Sequence, residues 1–202
     1  MMKNIILILV VLFNLASCTS NRTTKMKLNS FQKELVEFYS NSKTTPLNEE
    51  EKNNFVGITF FPYQEKYNVN ADFTAINDGN VIPFPTSAGK IKYYKEFGIA
   101  TFMIDGQTHS LKIYQSSPIM EEYKDHLFLP FTDDTNGEDT YGGGRYIDLD
   151  LTKSFTNEGQ IKINFNEAYN PYCAYSKRYN CPIPPGENSL DTRIEAGVTY
   201  KK

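Results

Sequence analysis

Between residues 66 and 165 the chain repeatedly sets apolar side chains at every second position, and that period restricts what it can fold into. In "KYNVNADFTAI", Tyr67, Val69, Ala71, Phe73 and Ala75 alternate with polar residues, as on a half-buried strand. In "GIATFMIDGQTHSLKIY" two alternating segments flank Asp105-Gly106, a pair suited to the positive φ angles of a two-residue type I′ hairpin. "RYIDLDL" places Ile147, Leu149 and Leu151 on one face and Tyr146, Asp148 and Asp150 on the other. "QIKINF" repeats the pattern, and shorter strands are expected at "GITFF", "KIKYY" and "LFLPF". Roughly seven to ten such strands predict a mainly β fold, an antiparallel sandwich or partly open barrel. Strands do not alternate with helices, so a parallel α/β sheet is excluded.

One or two helices precede the strands. Phe31, Leu35 and Phe38 share a helical face, and Asn29 with Gln32 forms a capping-box pattern. Asn48 followed by Glu49, Glu50 and Glu51 opens a second, shorter helix, its acids at the positive end of the helix dipole. "SKTTP" breaks the chain between them. The expected organisation is therefore a β-rich α+β domain over residues 30–202.

The first 17 residues read as a lipoprotein signal peptide. Lys3 precedes an apolar run from Ile5 to Phe13, which falls short of the ~20 residues a membrane span needs. Leu15-Ala16-Ser17-Cys18 resembles a bacterial lipobox, implying cleavage before Cys18 and acylation of its thiol and new amino terminus. Residues 18–29 then form a lipid-anchored tether of at most ~35 Å. The residues after Cys18, "TSNR", carry no acid, which matches sorting to the outer membrane with the domain facing the periplasm. A net charge of −3 gives no reason to expect a nucleic-acid partner.

With Cys18 committed to lipid, Cys173 and Cys181 are the two remaining thiols, and in an oxidising compartment a disulfide is the default. Closing a loop of about nine residues contributes roughly 2–3 kcal/mol on the chain-entropy account. Their spacing suits neither a zinc finger nor a C-x-x-C redox pair, and no metal site or cofactor is expected.

Two stretches can carry a binding site. "FTDDTNGEDTYGGGRYIDLDL" fits neither a calcium loop nor a phosphate loop. Its amides at Gly143 and Gly144, with Arg145 and Asp133 nearby, can form an anion-binding nest. Equally, the glycines can make a tight bend while Arg145 pairs with a neighbouring acid. "FNEAYNPYCAYSKRYNCPIPPGEN" reads either as a stapled loop closing the fold or as a ligand site using Tyr169, Asn170, Tyr172 and Tyr175. Serine- and zinc-hydrolase motifs are absent, and His109 is expected to face solvent from a strand.

These two stretches, with "PLNEEEKNNFVGITFFP" upstream, resemble blocks of a bacterial family catalogued as domain of unknown function 1684. The resemblance spans roughly Phe31 to Val198, Val198 itself standing where the family pattern has an acid. It implies no assigned activity, cofactor or catalytic residue. Three functions follow as expectations. The first is an anchored envelope protein binding a small anionic or polar ligand or a partner near Arg145 and the tyrosine loop. The second is a hydrolase-like enzyme using acids at 133–139 with Arg145, and the third a structural or assembly lipoprotein.

Overall fold

The computed structural model describes residues 28–156 and 159–200; the signal segment, Cys18 and the tether up to residue 27 lie outside the described residues. Helix α1, Ser30–Ser40, begins where the capping box requires: Gln32 N–H donates to Asn29 Oδ1, and Asn29 N–H donates to Gln32 Oε1. Helix α2, Glu49–Asn54, uses the same reciprocal bonds between Asn48 and Glu51. Gln32 and Tyr39 are the buried residues of α1, whereas Phe31, Leu35 and Phe38 are half-buried. The reason is that α1 lies on an aromatic surface outside the sheet, with Phe31 near Tyr169 and Phe38 stacked on Tyr172.

Among the described residues ten strands follow: β1 Thr59–Phe60, β2 Asn68–Ala75, β3 Val81–Pro85, β4 Ile91–Ile104, β5 Gln107–Ser116, β6 His126–Asp133, β7 Arg145–Asp150, β8 Gln160–Asn164, β9 Ser189–Leu190 and β10 Val198–Thr199. The main sheet runs β7-β6-β5-β4-β2-β8 with antiparallel neighbours, and it curls into a half-barrel. β3 pairs with the first part of β4, β9 lies parallel to the end of β6, and β1 with β10 forms a separate ladder.

Alternation lets this sheet bury both faces. Ala71, Phe102, Leu111, Leu127, Ile147 and Ile161 belong to the inner cluster, which also takes Leu190, Ile194 and Ala196 from the C-terminal segment. The curl is therefore filled by the chain's own tail. The outer face carries Phe84, Tyr114, Phe128 and Tyr146, with Tyr169 packed against them. Asn188 fastens the tail there: it donates to the carbonyls of Lys112 and Pro130 and accepts from Lys112 N–H. Such bonds satisfy strand groups that would otherwise be buried unpaired.

Three local details refine the sequence expectations. "KIKYY" and "GIATFMI" are one strand of 14 residues, with a register shift between Glu96 and Gly98. A Cβ at Gly98 would lie 2.3 Å from the Phe73 ring, so the bulge requires glycine. β3 was not expected because "VIPFP" carries two prolines, which an edge strand tolerates. His109 is half-buried near the Phe102 ring rather than open to solvent, because the two residues are cross-strand partners. The Asp105-Gly106 turn has φ of 50° and 80°, as a type I′ hairpin requires.

Candidate functional site

Asp133 closes β6 and Arg145 opens β7, so pairing of these two strands brings the residues together on the inner face. Their side chains are 0% exposed, and Arg145 Nη2 donates to Asp133 Oδ2 at 2.7 Å. Arg145 also donates to the carbonyls of Ile194 and Ala196, and its guanidinium lies over the Phe131 ring. Asp133 Oδ1 accepts from the Thr135 amide and hydroxyl and from Ile194 N–H. Burial pulls the Arg145 pKa below its ordinary value, and the Asp133 carboxylate opposes that shift. An external anion would have to displace Asp133 from a place with no access to solvent. The expected anion nest is corrected accordingly: this pair fastens the tail. Gly144 shares that role, with a φ of 85° and a Cβ position only 2.7 Å from Phe131 O and Pro184 Cγ. Gly143 sits in the same turn, half-buried and packed on Tyr141.

The remaining acids of the stretch do not converge on Arg145. Glu138 and Asp139 pair with Arg193 at the surface, and Asp134 is exposed.

Tyr169 joins the glycine–arginine block to the tail, since Tyr146 and Tyr169 exchange main-chain hydrogen bonds at 2.9 Å. Its hydroxyl donates to Asp148 Oδ2, while Asp148 Oδ1 lies 2.8 Å from His126 Nε2. Cys173 and Cys181 form a disulfide, and Ser87 bonds to both residues, tying the staple to the loop after β3. Arg145, Tyr169 and Asn170 do not line a common cavity. Asn170 is buried; its Nδ2 donates to Tyr175 Oη and, at 3.4 Å, to Thr199 O. It therefore stands behind a cleft rather than in it.

That cleft, of about 610 Å³, opens between α2, the chain through Thr59, the disulfide-bearing tail and β10. Phe55, Tyr141, Tyr175 and Tyr200 supply its rings. Tyr141 meets Tyr200 edge-on at 5.3 Å, Tyr200 meets Tyr175 at 5.9 Å, and Tyr175 meets Phe55 at 5.6 Å. Hydrogen bonds hold two of the rings: Tyr200 Oη donates to Ala174 O, and Tyr175 Oη accepts from Asn170. Asn48, Glu50, Glu51 and Asn54 form the rim from α2, facing Ser176 and Lys177 of the tail. Glu51 is held below the ordinary carboxylate range, chiefly because the Asn48 amide donates to it, so it serves as a fixed charge. Of these residues the sequence had singled out Tyr175. Phe55, Tyr141 and Tyr200 were missed because their only signal was an aromatic residue beside a turn or chain end.

Two expectations follow from these contacts. Arg145→Met strands a buried carboxylate and is expected to cost about 3–5 kcal/mol in chemical denaturation. Adding Asp133→Asn should recover at least about 1 kcal/mol of that loss, because the unpaired charge is removed while Oδ1 still accepts from Thr135 and Ile194; a further additive loss would refute the pairing. At the surface, the Asp148 hydrogen bond raises the His126 pKa above 6.5. Its stabilisation is therefore complete below the unfolded value and is lost as pH rises through the folded value. Wild type should lose up to about 1 kcal/mol more than His126→Gln across that rise, read from melting temperature against pH.

The family model described as "Protein of unknown function (DUF1684)" matches residues 53–199. The solution NMR structure of an uncharacterised protein from the archaeon Haloarcula marismortui is similar, with 31% identity and a TM-score of 0.65. The similarity covers 83% of this chain and 89% of that one. No curated protein matches the chain. A match over this much of the sequence means that the chain belongs to the DUF1684 family.

Proposed function

We propose that this protein is a lipid-anchored envelope protein that binds a small polar ligand in the cleft between α2, the tail and β10. The observation that carries the reading is the cleft's composition: four aromatic rings beside polar groups that the fold leaves unused. Tyr141 Oη, Asn54 Oδ1, Asn48 Nδ2 and the Glu50 carboxylate have no hydrogen-bond partner among the described residues. The volume falls in the range of about 300–1,000 Å³ typical of small-molecule sites. The walls are preorganised: the disulfide braces one, and pairing of Thr59 with Thr199 fixes the other.

The anchor rests on Leu15-Ala16-Ser17-Cys18 after the apolar run. Among the described residues no helix is long and apolar enough to cross a membrane. In this reading the attachment is through acylated Cys18. A disulfide suits the oxidising periplasm, on the inner side of the outer membrane.

Mass spectrometry of the detergent-extracted protein should find a mature chain beginning at acylated Cys18; an unmodified N-terminus elsewhere would overturn the anchor. For the cleft, Tyr141→Ala removes a half-buried ring outside the main clusters. Ligand-observed NMR against a library of polar metabolites should detect binding to wild type that weakens about tenfold in this variant. Binding unaffected by Tyr141→Ala, or no binding at all, counts against the cleft.

A further inference from the structure

We infer that the ligand of this cleft is a neutral oligosaccharide, a conclusion that rests on the cleft being the binding site. The rings come first. Phe55, Tyr141, Tyr175 and Tyr200 meet edge-on or tilted, so their planes are inclined to one another instead of forming one flat slot. A single slot suits a planar heterocycle. Differently inclined faces suit the C–H surfaces of successive pyranose rings, which turn relative to each other along a glycan.

The unused polar groups match the other side of a sugar. Asn48 spends its oxygen on the Glu51 amide, and Asn54 spends its nitrogen on the Glu50 carbonyl. What remains at the rim is an amide donor, an amide acceptor, a free carboxylate and the Tyr141 hydroxyl. Vicinal hydroxyls donate and accept at adjacent atoms: the Asn48 amide can donate to them, and the Asn54 amide oxygen and the Glu50 carboxylate can accept from them.

Charge and polarity exclude the competitors. A phosphate or carboxylate ligand calls for convergent cations, yet among the described residues Lys177 is the one cationic side chain lining the cleft, against Glu50 and Glu51. Arg178 lies 3.8 Å from Glu51 and donates to Pro46 O, so it is engaged behind the rim. A lipid tail calls for a continuous aliphatic wall, whereas Val56, 82% exposed, is the one large aliphatic side chain of the lining among the described residues.

The test is saturation-transfer NMR on the full mature chain with N,N′,N″-triacetylchitotriose and maltotriose. Palmitate and a trigalacturonate serve as apolar and anionic comparators. Transfer to ring C–H protons of at least one neutral trisaccharide is expected, with affinity about tenfold weaker in Tyr141→Ala and weaker in Asn54→Ala, and unchanged circular dichroism in both. If palmitate or trigalacturonate binds in a Tyr141-dependent manner and the neutral sugars do not, the saccharide assignment fails and the cleft stands. If neither variant alters binding of any probe, both fail.

Discussion

The contact between Asp133 and Arg145 is the constraint on which the other parts depend. Burying two opposite charges is unfavourable unless every remaining lone pair and N–H direction is largely filled. Here the filling groups come from the main chain of Ile194 and Ala196. The ion pair thus turns a desolvation problem into a specification: residues near 194–196 must cross the inner face of the half-barrel at one height and in one register. Val198 and Thr199 are then delivered to β1, and Tyr200 to the cleft. A buried charge pair contributes little net stability compared with apolar substitutes, but it restricts the arrangements that the tail can adopt.

The outer face is closed by a different chemistry. Tyrosine rings bury area while their hydroxyls reach carbonyls of an irregular segment: Tyr146 to Pro182, and Tyr200 to Ala174. This explains why the segment after β8 is rich in tyrosine, asparagine and proline although it forms almost no strand. A sheet with two apolar faces needs two covers, and one tail supplies both. The Cys173–Cys181 disulfide removes conformational freedom from the part of that tail with the fewest ladder bonds.

What could be read in the sequence divides along the same line. Period-two alternation announced β2, β4, β5, β7, β8 and the Asp105-Gly106 turn because each signal is local, whereas β6 was legible as the short apolar run "LFLPF". The capping box at Asn29 and the helix start at Asn48 were legible for the same reason. Arg145 was harder: its sequence neighbours allowed either a nest for an anion or a partner for an acid, and the choice depended on a segment about fifty residues later. The cleft was largely illegible. Phe55, Tyr141, Tyr175 and Tyr200 come from four separate segments, so no spacing links them until the tail is in place.

The boundary of the family match adds a division inside the cleft. Phe55, Tyr141 and Tyr175 fall within residues 53–199 together with Asn54 of α2, whereas Asn48, Glu50 and Glu51 precede that range and Tyr200 follows it. Stacking on the rings discriminates weakly among ligands that offer an apolar face, because ring contact has few directional demands. Hydrogen bonds at the rim impose direction, since a buried donor or acceptor left unmatched costs more than its pairing contributes. In the proposed reading, affinity would then arise mainly from the rings. Selectivity would arise from α2, a two-turn helix held by one capping box and by the contact of Arg178 with Pro46 and Glu51. Changes confined to that helix leave the ion pair and the core of the sheet in place, because neither takes a side chain from it.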